Sequence, residues 1–100
     1  MTTTPASPDV FANICIRIIK EQANIVGDLS WKEAARVKGL TVIDRYAPKV
    51  KITGDPKKVI DDLVESYVKL FGRLSREVSR ESVFDITADM PAGDIPSSLK

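Results

Sequence analysis

No histidine occurs anywhere in the 100 residues. The commonest general base near neutral pH is therefore missing, and Ser-His-Asp and Cys-His catalytic arrangements are excluded outright. The single cysteine, Cys15, rules out an internal disulfide and leaves carboxylates as the only material for a metal site. Its setting, Ile14-Cys15-Ile16, makes it a small buried hydrophobe rather than a reactive thiol. No window of about 18 uncharged apolar residues exists to span a bilayer. The opening MTTTPASP lacks the basic residues and apolar run of a secretory signal. These absences lead to the expectation of a cytoplasmic protein with no membrane partner. Net charge is also nearly absent, +1 from 15 basic against 14 acidic residues, which removes the general electrostatic argument for nucleic-acid or anionic-lipid binding.

What remains is ordinary for a folded chain: 43% hydrophobic and 29% charged residues suggest neither disorder nor a membrane protein, and the length allows one domain with a modest core. The stretch 54–86 carries the strongest pattern. Val59, Ile60, Leu63, Val64, Tyr67, Leu70, Phe71, Leu74 and Val78 recur at steps of three and four, one stripe of an α-helix. Asp55 stands where an N-cap carboxylate accepts orphan N–H groups, and Pro56 fills the first helical position. Gly72 has the character of a helix-closing residue, yet the stripe keeps its phase into Leu74 and Val78, so one bent helix is expected rather than a full stop.

Ahead of it, residues 1–8 read as a flexible tail, with Ser7 or Asp9 capping a helix from Asp9 to Val26. Phe11, Ile14, Cys15, Ile18, Ile25 and Val26 form its stripe, interrupted by Gln22, while Ile16 and Ile19 lie off it. An apolar arc that wide must be central in the fold or be covered on its second face by another subunit. A strand over NICIRII also fits period two, but the pattern continues too far for one. Asp28 or Ser30 then caps a short helix, Ser30 to Glu33 having the S-x-x-E form of a capping box, with Gly39 as the closing glycine. Thr41–Ile43 and Val50–Thr53 read as strands of a β-hairpin around the turn-like DRYAPK. A lone hairpin is marginal in water, so it should lie on the helices or pair with strands of another copy. Residues 88–100, with two prolines, read as a flexible tail in which Met90, Ile95 and Leu99 could dock on a neighbour. The expected fold is thus α+β and mostly α: long N-terminal helix, short helix, β-hairpin, then a long C-terminal helix or bent helix pair, forming one compact domain over residues 9–87.

No catalytic site, metal site or cofactor is expected. Asp61, Asp62 and Glu65 are spaced for a solvent-facing helix side, and in ITGDPKK the carboxylate of Asp55 takes the place an anion would need. Ser79 and Ser82 follow arginines, a weak phosphorylation signal beside the bland reading of Arg73, Arg76, Arg80, Glu77 and Glu81 as a salt-bridged helix face. The favoured function is a non-catalytic protein-interaction or regulatory module that self-associates, most simply as a homodimer, with another protein partner also compatible. Its interface or core is expected from Phe11, Ile14, Ile16, Ile18, Ile19, Trp31, Ile60, Leu63, Tyr67, Leu70, Phe71 and Leu74, with Trp31 or Tyr67 as anchors. The alternative is a nucleic-acid-binding regulator using Lys32, Arg36, Lys38, Arg45, Lys49 and Lys51, since residues 31–60 hold eight basic and three acidic groups. WKEAARVKGLT resembles the first half of a helix-turn-helix, with Ala35 and Gly39 four apart, but the segment after it meets Pro48 too soon for a recognition helix.

Overall fold

The computed structural model describes residues 8–100. The expected tail thus falls outside the described residues as far as position 7, and Pro8 opens the first helix. The chain is α+β and mostly α. In order come α1 (Pro8–Val26), α2 (Leu29–Ala35), β1 (Leu40–Asp44), β2 (Lys49–Ile52), α3 (Pro56–Phe71), α4 (Leu74–Ser82) and α5 (Phe84–Thr87), then 3-10 turns at Ala92–Asp94 and Ser97–Leu99.

Helix α1 is the central element, packed by α2, α3, α4 and β2 of its own chain. Phe11, Ile14, Cys15, Ile18 and Ile19 are buried, and Ile16 is half-covered against the same cluster. Over residues 11–19 the wide apolar arc is therefore covered within one chain and does not require a second subunit; Ile25, further along the stripe, stays exposed. Gln22 does not interrupt the stripe either. It is 1% exposed, and its amide Nε2 donates to the Ser75 carbonyl at 3.0 Å and to Ser79 Oγ at 3.2 Å. Ser79 Oγ in turn donates to the Ser75 carbonyl. The inner face of α4 is thus seryl, and a polar seam closes it onto α1.

Helix α2 begins at Leu29, two residues earlier than a Ser30 capping box would place it. Asp28 holds the N-cap position without a side-chain bond to the helix's own N–H groups, and Ser30 lies inside the helix, fully buried, with no partner for its Oγ among the described residues. Its carbonyl accepts the Tyr67 hydroxyl at 2.8 Å, which pins α3 against α2. The helix ends at Ala35, and Gly39 belongs to the turn into β1, with φ +87°. A Cβ there would sit 2.7 Å from the Thr53 carbonyl oxygen and 2.8 Å from Val59 Cγ2, so the close approach of hairpin and α3 requires glycine.

The hairpin pairs Leu40 with Ile52, Thr41 with Lys51 and Val42 with Val50, with a bulge at Ile43. Its four-residue loop is held by Asp44 Oδ1, which accepts from the N–H groups of Tyr46 and Ala47. The inward pairs lie on α1 and α2.

The start of α3 follows its cap chemistry: Asp55 Oδ1 accepts from Lys57 N at 3.0 Å and Pro56 opens the helix. Its end differs from a bend. Gly72 adopts φ +93°, ψ 178°, the helix stops, and α4 turns back antiparallel, with Arg76 bonded to Glu65 at 3.1 Å. The phase is lost, so Leu70 and Leu74 are exposed and Val78 is only half-buried. Residues 88–100 also differ from a free end. The Ser97–Leu99 turn lies on α3 and α4, Pro96 and Leu99 are buried, and Asp61 Oδ1 accepts from Ser98 N and Ser98 Oγ. The prolines fix an extended approach, and the apolar Ile95 and Leu99 seal the helix pair.

Candidate interaction surfaces

Three side-chain hydrogen bonds bring four helix ends together. Gln22 bonded to the Ser75 carbonyl, and Arg17 bonded to the Ser82 carbonyl at 3.4 Å, set α1 antiparallel to α4, so the last turn of α1 meets the first turn of α4. The Tyr67 to Ser30 bond places the last turn of α3 beside the first turn of α2. At this end Ile25 (64% exposed), Leu29 (55%), Leu70 (56%) and Leu74 (77%) stand in solvent, next to half-buried Val26 and Phe71. Singly such residues are unremarkable in a soluble protein, but a cluster from four elements is a candidate contact surface. Lys69 and Arg73 flank it, neither in an ion pair among the described residues.

The expected interface residues separate into two groups. Phe11, Ile14, Ile18, Ile19, Trp31, Ile60, Leu63 and Tyr67 are core, with Ile16 and Phe71 at its margin. Trp31 and Tyr67 are therefore anchors of the fold rather than of a contact. Only Leu70 and Leu74 stand on the surface. Ile25 and Leu29 complete the set; Ile25 has the phase of a core position, and nothing in its spacing shows that it stays 64% exposed.

The basic residues are spread. Lys32 and Arg36 stand on α2, Lys38 in the turn that follows, and Lys49 and Lys51 on the outer face of β2. Arg36 reaches Glu33 at 3.7 Å, and Arg45 pairs with Asp28 at 2.8 Å, a bond that raises its pKa. The segment that a helix-turn-helix would use for recognition is the hairpin. A depression of about 730 Å³ runs along the outer face of α1 towards the hairpin loop, past Asn13, Arg17, Lys20, Asn24 and Tyr46. Its charges largely cancel. Arg17 holds Asp85 through both carboxylate oxygens, at 2.8 and 3.0 Å, and keeps that carboxyl below its usual range. The Arg45 guanidinium, already paired, lies 5.2 Å from the Tyr46 ring centre.

Reactive groups are withdrawn. Cys15 is buried and burial pushes its thiol up to about 12; burial raises the Tyr67 hydroxyl as well. Ser79 is buried and bonded, out of reach of a modifying enzyme. Asp61, Asp62 and Glu65 are each engaged, by Ser98, Lys58 and Arg76. Among the described residues no group of three His, Cys, Asp or Glu side chains could hold a metal, and no helix is long and apolar enough to cross a membrane. Comparison with known proteins gives no match: no family model fits the chain, and no curated protein and no solved structure is similar to it.

Proposed function

We propose that this chain is a non-catalytic protein-interaction module that self-associates as a dimer, and that the contact is the apolar end formed by Ile25, Leu29, Leu70 and Leu74. The observation that carries the reading is that all four are more than half exposed and stand at adjoining helix ends, the last turns of α1 and α3 and the first turns of α2 and α4. Burying a Leu or Ile side chain that is otherwise exposed favours association by about 1.5–3 kcal/mol at most. Four from each copy, less the cost of association, fit a dimer that forms at micromolar concentration. The withdrawn thiol and tyrosine, and the missing histidine, support a role without covalent chemistry.

Light scattering over a concentration series tests this. The mass should rise from 11.0 kDa towards twice that value as concentration passes through tens of micromolar. Leu74→Glu should hold the chain at the monomer mass. Because Leu74 is 77% exposed, its urea midpoint at low concentration should match the parent within about 0.5 kcal/mol. A strict monomer at high micromolar concentration would overturn the proposal.

A further inference from the structure

The two-stranded sheet leaves β2 with an open edge, and the register shows which groups stand on it. Thr53 N donates to the Gly39 carbonyl at 2.7 Å, so Gly39 and Thr53 are a hydrogen-bonded pair. Alternation then makes Thr41–Lys51 the next bonded pair and leaves Leu40–Ile52 and Val42–Val50 non-bonded. The N–H and C=O groups of Val50 and Ile52 therefore point away from β1. Leu40 confirms the phase, because its N–H turns outward to the Val37 carbonyl. Beside this edge runs a slot of about 510 Å³, lined by the apolar Phe11, Ala12 and Pro56 and by three charged residues, Lys49, Lys51 and the single carboxylate Asp9, so its charge is net positive. Neither lysine is in an ion pair among the described residues.

We propose that the free edge of β2 is a binding site for an extended acidic peptide of a partner protein, which adds as a third, antiparallel strand with acidic and apolar residues in alternation. The apolar residues lie opposite Val50 and Ile52, exchange both backbone bonds with them, and turn towards Phe11, Ala12 and Pro56. The acidic residues lie opposite Lys49 and Lys51. Those are the non-bonded positions of the new ladder, where facing side chains come closest and opposite charges couple best. The same charge disfavours a second copy. An antiparallel β2–β2 pairing that keeps Val50 facing inward sets Lys49 against Lys51, or a lysine against itself, in each register centred on residues 49 to 51. The site is separate from the apolar end and does not depend on dimer formation.

The test uses the full chain and three synthetic hexapeptides: alternating Glu-Val, alternating Lys-Val, and the Glu-Val peptide N-methylated at alternate residues so that its bonding edge lacks N–H groups. Amide NMR and titration should show the first binding at sub-millimolar concentration, with shifts and slowed hydrogen exchange at Val50 and Ile52. The Lys-Val and N-methylated peptides should bind at least tenfold more weakly. Lys49→Glu with Lys51→Glu changes only exposed side chains, and should reverse the preference between Glu-Val and Lys-Val. Equal affinity for the N-methylated peptide, or shifts confined to the lysines, would overturn strand addition. So would a single-stranded oligonucleotide that binds these residues more tightly than the peptide, because the surface would then be a plain anion site.

Discussion

Cys15 shows how burial alone can decide the chemistry of a side chain. It lies inside α1 between isoleucines, and desolvation of the thiolate pushes its pKa from 9.0 to about 12. The folded state thus holds a proton that the unfolded chain gives up. The stabilisation this represents is complete below pH 9 and is lost as pH rises from 9 towards 12, at about 1.4 kcal/mol per pH unit. Urea midpoints measured from pH 7 to 10.5 should therefore fall above pH 9. Cys15→Ala should begin from a lower midpoint, because a small cavity replaces the sulfur, but should lose the decline between pH 9 and 10. Tyr67, raised in the same direction, leaves a residual decline at higher pH. A parent and variant with parallel curves would show that the thiol is not desolvated. Gln22 marks the limit of reading single residues. Its amide has the right phase for the core but the wrong polarity, and the partners that make burial possible, Ser75 and Ser79, lie more than 50 positions away. No local pattern announces which serine hydroxyl or carbonyl will meet it.

At the scale of elements, legibility follows how local the determinants are. The start of α3 was clear because Asp55 and Pro56 act on the turn they begin. The hairpin was clear because alternation and the DRYAPK loop lie within a dozen residues. The end of α3 was not, since the apolar phase runs through Gly72 and only its φ of +93° stops the helix. The C-terminal segment misled in another way. Its prolines and serines have the composition of a free end, yet Ile95, Pro96 and Leu99 supply enough apolar surface to close α3 against α4. Leu99→Ala should therefore cost about 2–4 kcal/mol in urea unfolding, as expected for a buried leucine rather than for the penultimate residue of a loose tail. Loss of Lys100, which is exposed, should change nothing measurable and serves as the control.

For the whole molecule, the decisive shift between sequence and structure is where the unsatisfied apolar surface lies. The arc of α1 reads as needing a companion, but α2, α3, α4 and the hairpin cover it over residues 11–19, and four of the exposed large apolar side chains stand instead where α1 and α3 stop and α2 and α4 begin. If two copies meet there, folding and association are linked, and stability must depend on concentration. Each tenfold rise above the dissociation constant adds about 1.4 kcal/mol per dimer, or about 0.7 kcal/mol per chain. For a domain of this size about 1 kcal/mol moves the melting temperature by about 4–8 °C, so about 3–5 °C per decade is expected. Leu74→Glu should melt at one temperature throughout. Salt supplies a second signature. Lys69 and Arg73 flank the apolar end on each copy, so the copies approach with like charge at the rim, and screening should favour the dimer. The concentration dependence should accordingly set in at lower protein concentration in 0.5 M than in 0.05 M sodium chloride. A midpoint unchanged from about 1 to 300 µM at both ionic strengths would mean that this end does not recognise itself.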